Sequence, residues 1–256
     1  MRPHWRGTLL YPASLVALFL GLQGLLGLMG VPVAQQASLA ALPSVAALLI
    51  SLPWRLQRAW GEPQAWKRLG VRCRWGELIQ TLGRGVLLAA ALLLFIVVAL
   101  LLGGAQSELR LTPALVLNGV VLGLGVGFAE ELLFRGWLFG ELSLLLGHQR
   151  ALWLQAAIFS LVHTRFHLPG LELLLLLGGL ALFGVLLAEQ RDGDQGVLWG
   201  AVGLHGGAVG GWFLLSQGVL NLQSAGPAWL LSPDNPIGGV AGLIALVVLL
   251  LGLRRS

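Results

Sequence analysis

The chain has 256 residues, of which 57% are apolar and 11% charged, against about 25% charged in an ordinary soluble domain. This excludes a soluble globule, and also a disordered chain, which needs low hydrophobicity and high net charge. The net charge is +5, but the basic residues punctuate apolar runs instead of lining a soluble groove, so no nucleic-acid partner is expected.

A single cysteine, Cys73, excludes an intrachain disulfide and a cysteine-based zinc cluster. The remaining fold class is all-α, a polytopic bundle of about eight transmembrane helices. A crossing helix needs about 20 apolar residues, and eight runs qualify as candidates: 9–30, 37–53, 85–102, 111–145, 151–163, 171–187, 196–217 and 237–253. The apolar core of the first exceeds the usual 7–15 residues of a signal peptide, so it is read as a retained helix. Segment 54–84 is too polar to span. It mixes Trp54, Trp60, Trp66 and Trp75 with basic residues, which suits either the surface of an anionic leaflet or an ordinary topogenic loop. The fourth run is about 50 Å long by helical rise, so it must tilt, break near its glycines or enter the interface. The fifth and eighth runs are short. No strand is expected.

Orientation follows from Lys and Arg placement. With the N-terminus inside, thirteen fall on the cytoplasmic side: Arg2, Arg6, the seven of segment 54–84, Arg150, Arg191, Arg254 and Arg255. Only Arg110 and Arg165 fall outside, and Arg135 sits within a run. The expectation is a multi-pass protein of the cell membrane with both termini cytoplasmic and lipids as neighbours. Three parts follow: 1–110 with N-terminal helices and the basic loop 54–84, a core over 111–217, and a C-terminal loop and last helix over 218–256.

Charged groups in a bilayer cost about 2.5–3.5 kcal/mol at a helix centre on translocon scales, so they mark function by default. Glu130 and Glu131 lie deep in the fourth run, and Arg135 stands four residues after Glu131 in the better order for a helical ion pair. Glu130 points about 100° away. Gly119, Gly123 and Gly127 share its side and admit a close helix neighbour. A purely structural ion network is the alternative. His163 closes the fifth run, and His205 lies in the seventh, with Gly203, Gly206, Gly207 and Gly210 roughly opposite it. Measured from the cytoplasmic ends, Glu130, His163 and His205 lie about 22, 20 and 14 Å deep, which tilt can bring into one layer. One carboxylate and two imidazoles suit a general base with oxyanion donors, or a Zn²⁺ site with water; the same trio could also work without metal. No serine or aspartyl intramembrane motif, His-Glu-x-x-His or nucleotide motif is present.

Glu130-Glu131-x-x-x-Arg135, then Phe159-x-x-x-His163, then His205 in a glycine-rich run together resemble the CAAX protease and bacteriocin-processing (CPBP) family of intramembrane proteases. The resemblance covers about residues 111–217. It implies an eight-helix fold with the site inside the membrane and open toward the cytoplasm. It further implies that Glu130 activates water to cleave a membrane-embedded peptide or protein, with His163 and His205 assisting and Glu131, Arg135 and Phe159 supporting. One position departs from the pattern. The family's third motif reads His-x-x-x-Asn, and Val209 stands where the Asn would be. The run from Leu198 to Gly207 resembles cyanobacterial and plastid members, for some of which a role in membrane-protein or pigment-complex assembly is suggested. A non-catalytic assembly factor on the same fold is therefore the second expectation, and a proton relay or transporter the third.

Overall fold

The computed structural model describes residues 3–223 and 226–254; Arg2 and Arg255 of the basic count lie outside them. Helices α1 (Trp5–Leu28) and α2 (Val33–Trp60) form an antiparallel hairpin, pinned by Tyr11 Oη and Ser51 Oγ at 2.9 Å. The expected end of the second run at residue 53 is corrected. Pro43 and Pro53 lie inside α2, and the turn after Pro53 is held by the fully buried Leu52 and Leu56 and by Arg55 and Trp60, both bonded to Glu141. Tertiary contacts thus offset the hydrogen bond a proline removes. Gly61, at φ +68°, ends α2. Because α4 (Trp75–Leu102) starts early, the non-spanning loop is 61–74, carrying the short α3 (Ala65–Arg68), instead of 54–84. Gly70 and Val71 dock this loop on the chain entering α9 (Trp199–Gly218) through bonds from Leu198 N and Trp199 Nε1, each 2.9 Å.

After α4 comes β1 (Gln106–Ser107), which pairs antiparallel with β2 (Leu220–Asn221), a small bridge not expected from the sequence. Thr112 caps α5 (Pro113–Glu131), its Oγ1 accepting from Leu115 N at 3.2 Å, with Pro113 at the first helical position. The long fourth run stays helical throughout, without a break at its glycines. It passes through a π-helical segment (Leu132–Leu138) into α6 (Phe139–Leu146), 34 residues in all. Then follow α7 (His148–His163), α8 (Gly170–Gly193), α9, α10 (Ala228–Leu231) and α11 (Val240–Leu253).

Five of these are long and apolar enough to cross a membrane: α1, α2, α4, the α5–α6 rod and α8. The chain is a multi-pass membrane protein. Helices α7, α9 and α11 coincide with the other expected runs but fall short of that length or apolarity. α9 is the axis of the bundle. Its glycines replace the side chains that would hold neighbours off: a Cβ on Gly123 of α5 would stand 2.5 Å from Gly206 O, and one on Gly207 2.8 Å from Ala89 Cβ of α4. α4 runs parallel to α9 and α5 antiparallel, while α7 and α8 pack antiparallel through Gly184 against Ala156.

The helix directions sort the loops into two ends. One end carries the start of α1, the loop 61–74, Gly147, residues 194–198 and the end of α11. The other carries residues 29–32, the β1–β2 bridge, the α7–α8 connection and residues 226–239. With the two undescribed arginines set aside, eleven of the thirteen inward basic residues mark the first end, and Arg110 and Arg165 the second.

Candidate active site

Glu130, His163 and His205 come together from α5, α7 and α9. His163 Nε2 is 3.0 Å and His205 Nε2 3.7 Å from the same oxygen, Glu130 Oε2. The glycine seam explains the approach of α9: a Cβ on Gly127 would meet Gly206 Cα at 2.8 Å, so the residue three before Glu130 lies directly on the helix bearing His205. Oε2 is a buried carboxylate oxygen, and the two Nε2 atoms face it from different helices.

Glu131 faces elsewhere, as its position one residue on requires. It is fully buried, and its Oε1 accepts from Arg135 Nη1 and from His205 Nδ1, both at 2.8 Å. The Glu131–Arg135 pair was legible in the spacing; the bond to His205 was not. Arg135 also donates to Gly184 O at 3.3 Å and lies 4.2 Å over the Phe159 ring. Phe159 in turn presents its edge to His205, centroids 5.8 Å apart, and Phe183 does the same at 5.4 Å. The Phe159 carbonyl accepts from His163 Nδ1 at 2.8 Å.

These partners define the proton positions. A carbonyl and a carboxylate can only accept, so both imidazoles carry a proton on Nδ1. Each Nε2 is then a bare acceptor unless its ring is an imidazolium. Both nitrogens face one carboxylate oxygen.

The cluster lines a cavity of about 510 Å³ walled by Leu122, Val126, Phe159, Leu180, Val209 and Trp212, among others. Arg165, Asp234 and Asn235 stand at its far end, in the α7–α8 and α10–α11 connections. A larger cavity of about 1130 Å³ lies among Lys67, Arg72, Arg74 and Arg84 at the basic end and contains none of the three site residues. Cys73, in that loop, has its thiol pushed up by burial and then by neighbouring Glu77.

The zinc expectation was tested on the donor set. Among the described residues no group of three or more His, Cys, Asp or Glu side chains is disposed to hold a metal ion. Val209 lines the cavity one turn from His205 and offers methyl groups where a donor was expected. Glu141 was passed over in the sequence, although it is an ionisable residue within the fourth apolar run. It is fully buried and accepts from Thr8 Oγ1, Trp60 Nε1 and Trp137 Nε1, each at 2.8 Å, and from Arg55. Asp234 and Asn235, far off in sequence and in a polar loop, carried no signal.

Residues 112–210 match the family model for type II CAAX prenyl endopeptidase, Rce1-like. No curated protein and no solved structure matches the chain.

Proposed function

We propose that this chain, a member of the CAAX protease family through residues 112–210, is an intramembrane endopeptidase in which Glu130 activates water against a membrane peptide. The observation that carries the reading is the buried Glu130 Oε2 facing two imidazole edges at the floor of an apolar cavity. A carboxylate held against an apolar wall is costly unless it is paired, and here its facing partners are two imidazoles.

In this reading Glu130 takes a proton from water as the water oxygen bonds to the scissile carbonyl carbon. The proton is held within the Glu130–His163 pair and delivered to the leaving amine as the C–N bond breaks. His205 acts on the oxyanion. Its Nδ1–H is committed to Glu131, which fixes the ring with Nε2 turned toward Glu130 and the cavity. Arg135 and Phe159 position these groups. The cavity wall in this scheme comes from residues of the 111–217 part, joined by Asp234, Asn235, Pro236 and Ile237 of the C-terminal part.

Val209 favours a second reading, a non-catalytic assembly factor on the same fold. A fluorogenic peptide embedded in liposomes separates the two. Glu130→Gln and His163→Ala should each lower turnover by about 10²–10⁴-fold, the range of a general acid–base group, at unchanged membrane levels. Full activity in Glu130→Gln would refute the glutamate mechanism. An assembly role that survives changes at 130, 163 and 205 together would favour the scaffold.

A further inference from the structure

Two sequence expectations, a cytoplasmic basic end and a site open toward the cytoplasm, point to opposite ends of this fold. The cavity containing Glu130 is lined toward its mouth by Ser216, Arg165, Asp234 and Asn235. Ser216 is near the end of α9 and the others lie in connections at the end opposite the basic loop. From Glu130 toward the basic end the way is closed. Glu131, Arg135 and Trp137 are fully buried there, Arg191 Nη1 bonds to the Arg135 carbonyl, and Phe128 stacks on Trp199 at 5.5 Å. The polar lining of the cavity therefore lies toward the end that holds two of the thirteen described inward and outward Lys and Arg residues.

Basic loops are retained on the cytoplasmic side, and eleven residues against two is a strong bias. We propose that the site is served from the non-cytoplasmic side, and that its substrates are membrane-anchored peptides whose scissile bond reaches Glu130 from that side. The proposal rests on the protease reading. Leu122, Val126, Trp212 and Phe213 line the same half of the cavity. They suit the apolar flank of such a peptide, while Arg165 and Asp234 meet its polar part at the mouth. A soluble cytoplasmic peptide would have to cross the plug formed by Glu131, Arg135 and Trp137.

The test uses the full chain with Cys73→Ser as background. His167→Cys and Asp234→Cys report the mouth end, and Glu62→Cys reports the basic loop. In intact bacterial cells a membrane-impermeant maleimide should label His167→Cys and Asp234→Cys, and label Glu62→Cys only after permeabilisation. Labelling of Glu62→Cys in intact cells would overturn the proposal. Cleavage is read in parallel with a lipid-anchored peptide presented to right-side-out or inverted vesicles, each with a Glu130→Gln control. Glu130-dependent cleavage confined to right-side-out vesicles is the expected result. Cleavage confined to inverted vesicles overturns the orientation and leaves the glutamate reading standing. Correct labelling with no Glu130-dependent cleavage in either preparation overturns the protease reading and the substrate assignment with it.

Discussion

Val209 stands one helical turn from His205 and lines the cavity that holds Glu130. If His205 works on the oxyanion, it does so there without a partner from its own helix. Loss of one oxyanion donor typically costs about 10²–10³ in rate. Val209→Asn restores an amide to nearly the same face and should raise turnover, by up to about 10²-fold on that precedent. The gain should appear in kcat more than in KM, since the amide engages a charge present only in the transition state. The change carries a cost, because an amide left unpaired in an apolar wall loses about 1–3 kcal/mol of stability. Cleavage of the liposome peptide by both versions decides the matter. Equal rates in an active enzyme would assign the second donor to another group on the wall, such as Asn235 or Ser216.

At the scale of elements, the α5–α9 seam sets the distance between Glu130 and His205. A Cβ on Gly123 would stand 2.5 Å from Gly206 O, closer than real Cβ atoms come, and that oxygen belongs to backbone that cannot swing aside. Gly123→Ala should therefore push the helices apart, destabilising the detergent-solubilised protein by about 1–3 kcal/mol, the usual range for overpacking. Gly125 is the matched control, two residues on with nothing within 4 Å. Gly125→Ala should be neutral or stabilising by up to about 1 kcal/mol, the difference in helix propensity. Equal melting temperatures for the two variants would refute the seam. This seam was legible in the sequence because glycines at 119, 123 and 127 repeat at helical spacing beside a charged residue in an apolar run. The convergence of Glu130 with two histidines was legible for a related reason, since depth along a helix can be counted from its ends. The π-helical segment Leu132–Leu138 was not. An i→i+5 bond differs from i→i+4 by one residue, and no side-chain pattern marks the change. Nor was the direction of the cavity, because depth fixes a layer without saying which way that layer opens.

Across the whole molecule, two fully buried carboxylates flank the π-helical segment, Glu131 at its start and Glu141 three residues past its end. Glu131 holds Arg135 and His205. Glu141 serves the assembly of the bundle, because its donors come from α1 (Thr8), α2 (Arg55 and Trp60) and the π segment (Trp137). The α1–α2 hairpin is fastened to the site-bearing helices at this point, reinforced by Tyr11 edge-on to Trp137 at 4.9 Å. Glu141→Gln keeps the shape but turns one acceptor into a donor among groups that all donate, and strands the Arg55 charge. Breaking a buried pair costs about 3–5 kcal/mol, and the low end applies because the Arg55 side chain is 16% exposed. The expected result is a lower melting temperature and faster proteolytic clipping near residues 29–32, where the hairpin turns. Turnover per folded molecule should be nearly unchanged, since Glu130, His163 and His205 sit on α5, α7 and α9. A Glu141→Gln protein that stays resistant to clipping yet loses turnover would show that the π-helical segment transmits the state of Glu141 to Glu131. The two carboxylates would then form one unit, with the hairpin part of the catalytic machinery.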